Sequence, residues 1–227
     1  MNVFDILGPV MVGPSSSHTA GAVRIGRVAR QLLTEAPVYA DIALYGSFAT
    51  TGRGHGTDKA LIAGLLGMKE DDIRIPKSFE LAHEKNLSFF FSQTDSLKDA
   101  HPNTAVLNLQ SASGKRIAIQ AASIGGGRIM VHKIDGISVN FSACMPTLVV
   151  HNYDLPGHIA AVTKFLYEHD INIASMHLNR VSRGDYAVMV LETDQKISRE
   201  ILCQIEKCKG VIKVTYFDED MEGSDGI

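Results

Sequence analysis

A chain of 227 residues, 45% hydrophobic and 21% charged, has enough apolar material for one large or two small cored domains. Its formal charge of −3, with acids and bases interspersed, offers no basic field for nucleic acid and no polybasic membrane patch. No apolar run approaches the roughly 20 residues that cross a bilayer; Met1-Asn2-Val3-Phe4-Asp5 lacks the features of a secretion signal, so a soluble, cytoplasmic protein is expected.

The first chemically dense segment is Gly13-Pro14-Ser15-Ser16-Ser17-His18-Thr19-Ala20-Gly21. Hydroxyls and backbone N–H groups where a helix begins can hold a carboxylate or phosphate, and an imidazole there can move a proton near neutral pH. From Thr19 to Leu33 the apolar residues Ala22, Ile25, Ala29, Leu32 and Leu33 recur at helical spacing. Arg24, Arg27 and Arg30 form a basic stripe, read as a solvated face or as an attractor of anions.

Val38 to Tyr45 reads as a strand ended by Gly46, and Thr51-Gly52-Arg53-Gly54-His55-Gly56-Thr57-Asp58 as a glycine-dense loop before a helix from Asp58 to Leu66. The glycines match neither the P-loop nor the dinucleotide fingerprint. They leave backbone free to approach a ligand, with His55 beside a helix start capped by Thr57 or Asp58. Ser78 to Glu84 reads as a short helix and Leu87 to Ser92 as a strand. His101-Pro102-Asn103-Thr104 is a turn that places a third histidine in a polar, irregular segment.

Segments 104–110, 116–124, 128–134 and 137–143 read as strands, with Gly125-Gly126-Gly127 as a hairpin bend or an anion-binding nest. After Pro146 the order is strand 147–153, helix 157–169, strand 172–182, strand 185–192, helix 197–207 and strand 211–217, a ferredoxin-like βαββαβ unit. The expected class is α+β: a mixed α/β domain over residues 1–145, the βαββαβ domain over 147–220, and a flexible acidic tail over 221–227. Cys144, Cys203 and Cys208 are odd in number and lack CxxC spacing, which supports neither a disulfide framework nor a self-contained metal or iron–sulfur site.

Leu148-Val149-Val150-His151-Asn152-Tyr153-Asp154-Leu155-Pro156-Gly157-His158-Ile159-Ala160, with Asp170-Ile171-Asn172-Ile173-Ala174, resembles the ACT domain, an amino-acid-sensing module. The resemblance implies side-by-side pairing into a homodimer and a regulatory ligand between Asp154, Gly157 and Ile159 of one copy and Asn172 of another. Asp154 stands where serine-binding relatives often carry Asn; a carboxylate there would repel a ligand carboxylate and attract its ammonium.

The first two thirds is similar to the β subunit of bacterial iron–sulfur L-serine dehydratase of the two-subunit type. The resemblance rests on Phe4 to Thr19, Tyr45-Gly46-Ser47-Phe48-Ala49, Gly54-His55-Gly56-Thr57-Asp58, His101-Pro102-Asn103-Thr104 and Ser123-Ile124-Gly125-Gly126-Gly127. It implies an α subunit that holds a [4Fe-4S] cluster, L-serine as substrate, pyruvate and ammonia as products, and no pyridoxal phosphate. Potassium dependence is also a property of such enzymes, although no cation site is legible in the sequence.

Joined to the residue chemistry, the resemblance gives Ser15, Ser16, Ser17 and Thr19 the substrate carboxylate, with Asn103 and Thr104 as further substrate-binding residues. His18, His55 and His101 supply proton transfer and hydrogen bonds, and which of them is the base stays open. A purely regulatory amino-acid-sensing module is the alternative; this domain is also similar to the allosteric substrate-binding domain of some phosphoglycerate dehydrogenases. A metal hydrolase using the three histidines as ligands is disfavoured by the lack of an HxH or HExxH pair.

Overall fold

The computed structural model describes residues 10–97 and 99–219. The Phe4 to Pro9 part of the first matching segment and the 221–227 tail lie outside the described residues. The chain divides into two compact units between Asp135 and Gly136.

In the first unit, a π-helical turn, Ser16–Ala20, runs directly into α1 (Gly21–Leu33). The chain then forms β1 (Pro37–Tyr45), two short helical turns α2 (Ser47–Thr50) and α3 (Gly52–His55), and α4 (Thr57–Leu65). A single 3₁₀ turn (Ile75–Lys77) leads to α5 (Ser78–Glu84) and β2 (Ser88–Gln93). β3 (Thr104–Ser111), β4 (Arg116–Gly125) and β5 (Arg128–Ile134) follow as an antiparallel meander. The strand order is β2-β1-β3-β4-β5, with β2 parallel to β1 and β3 antiparallel to it.

The amphipathic pattern of α1 does what its spacing predicts. Ala22, Val23, Ile25, Val28, Ala29, Leu32 and Leu33 are buried, and the helix packs on β4 and on α4. The helix pair touches backbone to backbone: an added Cβ would lie 2.0 Å from the Val23 carbonyl oxygen at Gly64 and 2.4 Å from that of Leu61 at Gly26.

The basic stripe on α1 is not a solvated face, which corrects that expectation. Arg27 and Arg30 are both buried. The Arg30 Nη1 donates to the Leu65 carbonyl at the C-terminus of α4, 3.1 Å away, and Arg27 lies 3.8 Å from the Glu70 carboxylate. Cations at a helix C-terminus satisfy carbonyls that have no intrahelical partner, and two helices in backbone contact bring these arginines within reach of that end.

The second unit begins with β6 (Ile137–Phe141) and continues as β7 (Thr147–Tyr153), α6 (His158–Glu168), β8 (Ile173–Arg180), β9 (Tyr186–Thr193), α7 (Arg199–Glu206) and β10 (Val211–Phe217). Its antiparallel sheet has the order β10-β7-β9-β8, the ferredoxin-like arrangement. Leu148, Val150, Met189, Leu191, Val214 and Tyr216 of the sheet pack against Val162, Leu166, Ile201 and Ile205 of the two helices. The α+β class expected from the element order is the class found. No helix among the described residues is long and apolar enough to cross a membrane.

A buried titrating group sits in β7. His151 is fully buried, its Nδ1 hydrogen-bonded to the Tyr186 hydroxyl, and burial, with the nearby Lys213 charge, pushes its pKa down to about 4. The depressed value means the unfolded chain binds the proton more readily. Stability from this residue is therefore present above pH 6.5 and lost as pH falls from there toward 4. That shift corresponds to about 3 kcal/mol at one unit per 1.36 kcal/mol. Urea unfolding at pH 7 and pH 4 should show this loss in the native chain and a smaller one in His151→Gln, which cannot titrate.

Candidate active site

The serine-rich segment is organised by Ser15, whose extended backbone precedes the π turn and whose hydroxyl accepts the His18 N–H at 3.2 Å. Single π turns inside helices are uncommon and concentrate at functional sites. Gly13 (φ +149°) lies so close to Thr19 that an added Cβ would be 2.4 Å from its methyl, which folds the loop back onto the turn.

This turn places the His18 ring between two pairs of hydroxyls. Nδ1 is 3.2 Å from Ser17 Oγ and 3.5 Å from Ser15 Oγ; Nε2 is 3.1 Å from both Ser47 Oγ and Thr51 Oγ1. The buried Phe48 packs edge-on against the ring at 5.4 Å between centroids, and the His55 ring lies 4.8 Å away. Burial lowers the His18 pKa first, and charge on His55 lowers it further; a hydrogen bond to the Ser47 backbone works the other way.

His55 ends α3. Its Nδ1 lies 3.1 Å from the Thr51 carbonyl oxygen, which can only accept, so the neutral ring carries its proton on Nδ1 and a lone pair on Nε2. Nε2 has no hydrogen-bond partner among the described residues, and the side chain is half-buried. Thr19 is buried and donates its hydroxyl to the His55 carbonyl at 3.3 Å, so it fixes α3 against the π turn.

His101 sits on an exposed turn and its Nδ1 accepts the Asn103 N–H at 3.2 Å, which leaves Nε2 as the protonated donor of the neutral ring. The turn docks on the start of α2: Phe48 N–H donates to the Pro102 carbonyl at 3.3 Å, and Gly46 (φ +57°) has Pro102 where a Cβ would be, 2.6 Å from its carbonyl oxygen. The Thr104 hydroxyl is committed inside the turn, donating to His101 O at 2.6 Å. Asn103 Oδ1 is buried without a hydrogen-bond partner. So is the hydroxyl of Ser123, against which Gly21 packs and whose N–H donates to the Asn103 carbonyl.

Ser15, Ser17, His18, Thr19 and His55 therefore converge, and the His101–Thr104 turn abuts the start of α2, whose Phe48 packs on His18. Ser16 opens the π turn, its hydroxyl unbonded among the described residues. Two expectations for residues 51–58 are corrected. The glycine-dense segment is helical rather than a loop, and the residue that precedes α4 is Gly56 in a left-handed conformation (φ +72°) rather than Thr57 or Asp58, although the Asp58 carboxylate accepts the Lys59 N–H of the first turn at 2.8 Å. Ser47 and Thr51 were not singled out by sequence reasoning. Their signal is the spacing 47, 51, 55, four residues apart, which lines one side of a helix once the segment is read as helical.

The glycines at 125–127 form the β4–β5 hairpin bend. In the second unit the Asp154 carboxylate is already engaged. It accepts from Arg180 Nη1 at 2.7 Å and Gly184 N–H at 3.1 Å, and these bonds hold its pKa below the usual range, Gly184 contributing most. Gly157 (φ +98°) precedes α6, and Ile159 is exposed in its first turn. Asn172 is tied to the β9–α7 connection, donating Nδ2 to Asp194 at 2.6 Å and its N–H to Gln195 at 2.7 Å.

Among the described residues no group of three or more His, Cys, Asp or Glu side chains converges to hold a metal. Cys144 and Cys203 are exposed and Cys208 is half-buried on different segments, so this donor set does not fit an iron–sulfur cluster.

Comparison with known proteins places these features in context. Residues 2–88 match the family model "Serine dehydratase beta chain", and residues 147–210 match "ACT domain". The chain is 42% identical over 214 residues to the "Probable L-serine dehydratase, beta chain" of Bacillus subtilis, covering 94% of this chain and 96% of the relative. It is 34% identical over 200 residues to the "L-serine dehydratase, beta chain" of Peptoniphilus asaccharolyticus, covering 88% and 90%. It is 29% identical over 172 residues to "L-serine dehydratase TdcG" of Escherichia coli, covering 64% of this chain and 37% of that relative.

Proposed function

This chain belongs to the family of L-serine dehydratase beta chains, and from that premise we propose that it supplies the substrate-binding and proton-transfer residues of a site completed by a partner α subunit. The observation that carries the reading is the pairing of His18 and His55, 4.8 Å apart, with His18 held between hydroxyls from two segments, Ser15 and Ser17 on one side and Ser47 and Thr51 on the other. A purely structural histidine pair has no need of an unpartnered, half-exposed lone pair such as His55 Nε2.

In this reading Ser15, Ser16 and Ser17 hold the carboxylate of L-serine, with Asn103 supplying a polar contact from the adjoining turn. His55 Nε2 takes the Cα proton, the electron pair forms the Cα–Cβ double bond, and hydroxide leaves Cβ. The hydroxide and the proton held by His55 together make the water released. The aminoacrylate left behind tautomerises to an imine and hydrolyses to pyruvate and ammonia. His101, protonated at Nε2, orients the substrate hydroxyl as a donor, and Thr19 and Thr104 hold His55 and His101 in place through their carbonyls.

The family's [4Fe-4S] cluster is assigned to the partner, because this chain's cysteines do not fit it; a potassium requirement is likewise left to the assembled enzyme. The length of the Escherichia coli relative beyond the aligned part supports the need for further polypeptide. The ACT unit is proposed to pair two copies of this chain, with Asp154, Gly157, Ile159 and Asn172 near a regulatory site, in a cytoplasmic enzyme. Mixing the purified chain with its α partner under anaerobic conditions should convert L-serine to pyruvate, while neither polypeptide does so alone. Full activity in the α polypeptide by itself would contradict the shared site.

A further inference from the structure

We infer that Thr51, together with Ser47, is a positioning residue that fixes the tautomers of both histidines, His55 through its carbonyl and His18 through its hydroxyl. The inference rests on the catalytic reading above for its importance, and on hydrogen-bond geometry for its content. A hydroxyl has one proton to give. The Thr51 hydroxyl donates to the Ser47 carbonyl at 2.9 Å, so toward His18 it can only accept. Its oxygen lies 3.1 Å from His18 Nε2, which must then carry the ring proton and donate it.

Ser47 completes the arrangement. Its hydroxyl is 3.0 Å from Thr51 Oγ1 and 3.1 Å from His18 Nε2, so it gives its proton to Thr51 and receives from the same ring edge. With the proton of His18 held on Nε2, the Nδ1 lone pair faces Ser17 and Ser15, whose hydroxyls donate to it. An incoming carboxylate would compete for those same protons. At the other end of the same residue, the Thr51 carbonyl takes the Nδ1 proton of His55 at 3.1 Å and turns the Nε2 lone pair outward. One backbone carbonyl and one hydroxyl, on a residue that touches neither reacting atom, thus bias which nitrogen of each ring is basic, with Ser47 acting on His18 beside them.

The helical spacing explains why this works. Ser47, Thr51 and His55 follow one another at four-residue intervals, so each reaches back one turn, and the Ser47 carbonyl that fixes the Thr51 hydroxyl is itself part of that turn.

The test uses ¹⁵N-labelled full-length chain at a pH above the histidine titrations, where ring nitrogen shifts separate the two tautomers. Wild type should show His18 protonated at Nε2 and His55 at Nδ1. Thr51→Val, and more strongly Ser47→Ala/Thr51→Val, should shift His18 toward the Nδ1–H form while His55 stays unchanged, because the carbonyl remains. Thr51→Ser should restore the wild-type pattern. In the enzyme assembled with its partner, Thr51→Val should lower kcat about tenfold, with KM changed less, and Thr51→Ser should recover it. An unchanged His18 spectrum in the double variant overturns the inference whatever the activity. A changed spectrum with unaltered kcat upholds it and overturns the catalytic reading instead.

Discussion

Replacing His55 by glutamine is expected to lower kcat of the assembled enzyme by about 10²–10⁴-fold, the range over which a positioned general base contributes. Glutamine keeps the approximate length of the side chain but cannot accept and release a proton near neutral pH. Among the described residues the His55 side chain makes two contacts, the Nδ1 bond to the Thr51 carbonyl and the ring approach to His18, and the Thr19 bond is to its backbone carbonyl, so the variant should fold with little loss of stability. KM should change less than kcat, because the proposed carboxylate contacts come from a different segment, Ser15 to Ser17.

A second readout separates this from a general disturbance. Charge on His55 is one of the causes that lower the His18 pKa, so removing it should raise the His18 titration point, measured by NMR on the full chain. Loss of activity with no movement of His18 would mean that the two rings do not share a field. Retention of near wild-type kcat would remove His55 from the chemistry altogether.

Gly64→Ala should be the most damaging single change to the fold of the first unit. The added methyl would meet the Val23 carbonyl oxygen at 2.0 Å, the Arg27 nitrogen at 2.9 Å and the Gly26 Cα at 2.9 Å, all of them backbone. None of these atoms can turn aside as a flexible side chain would, so α1 and α4 must move apart. Such overpacking costs about 3 kcal/mol, corresponding to a fall in Tm of roughly 10 °C. Separation would also take Arg30 away from the Leu65 carbonyl it bonds. Gly54→Ala is the control, since no atom lies within 4 Å of a Cβ there, and its Tm should match wild type. Equal Tm values for the two variants would show that the helix crossing is looser than the backbone contacts imply.

The relation of sequence to structure is uneven in an instructive way. Amphipathic spacing alone locates α1, and alternation with glycine punctuation locates the meander and the βαββαβ unit to within a few residues. Those features depend on local periodicity, which a sequence displays directly. The parallel pairing of β1 with β2 joins residues about fifty positions apart, such as Ile42 with Phe91, and no local pattern encodes it.

Around the site the misreadings share one origin. Gly52, Gly54 and Gly56 make residues 51–58 look like a loop, because glycine disfavours helix by about 1 kcal/mol. Burial of Phe48, the backbone hydrogen bonds to Gly46 and Ser47, and the grip of Thr19 on the His55 carbonyl override that preference. In a loop, the four-residue spacing of Ser47, Thr51 and His55 has no meaning; in a helix it aligns them. The same limit applies to the arginines of α1: regular spacing identifies a face, but only the position of the α4 terminus makes that face a buried one. The neighbourhood of His18 and His55, by contrast, is legible, since both stand among hydroxyls and glycines in the sequence and meet in space.

The most direct measurement of the central claim is kcat at saturating L-serine for enzyme assembled with the variant His18→Asn/His55→Gln/His101→Asn, after its melting temperature has been shown to match wild type. If this chain carries the proton-transfer groups, kcat falls below about 1% of the wild-type value and added L-serine does not restore it. If kcat stays near the wild-type value and only the half-saturating concentration rises, the chain senses its amino acid without taking part in the chemistry, and the proton-transfer role assigned to its histidines is wrong.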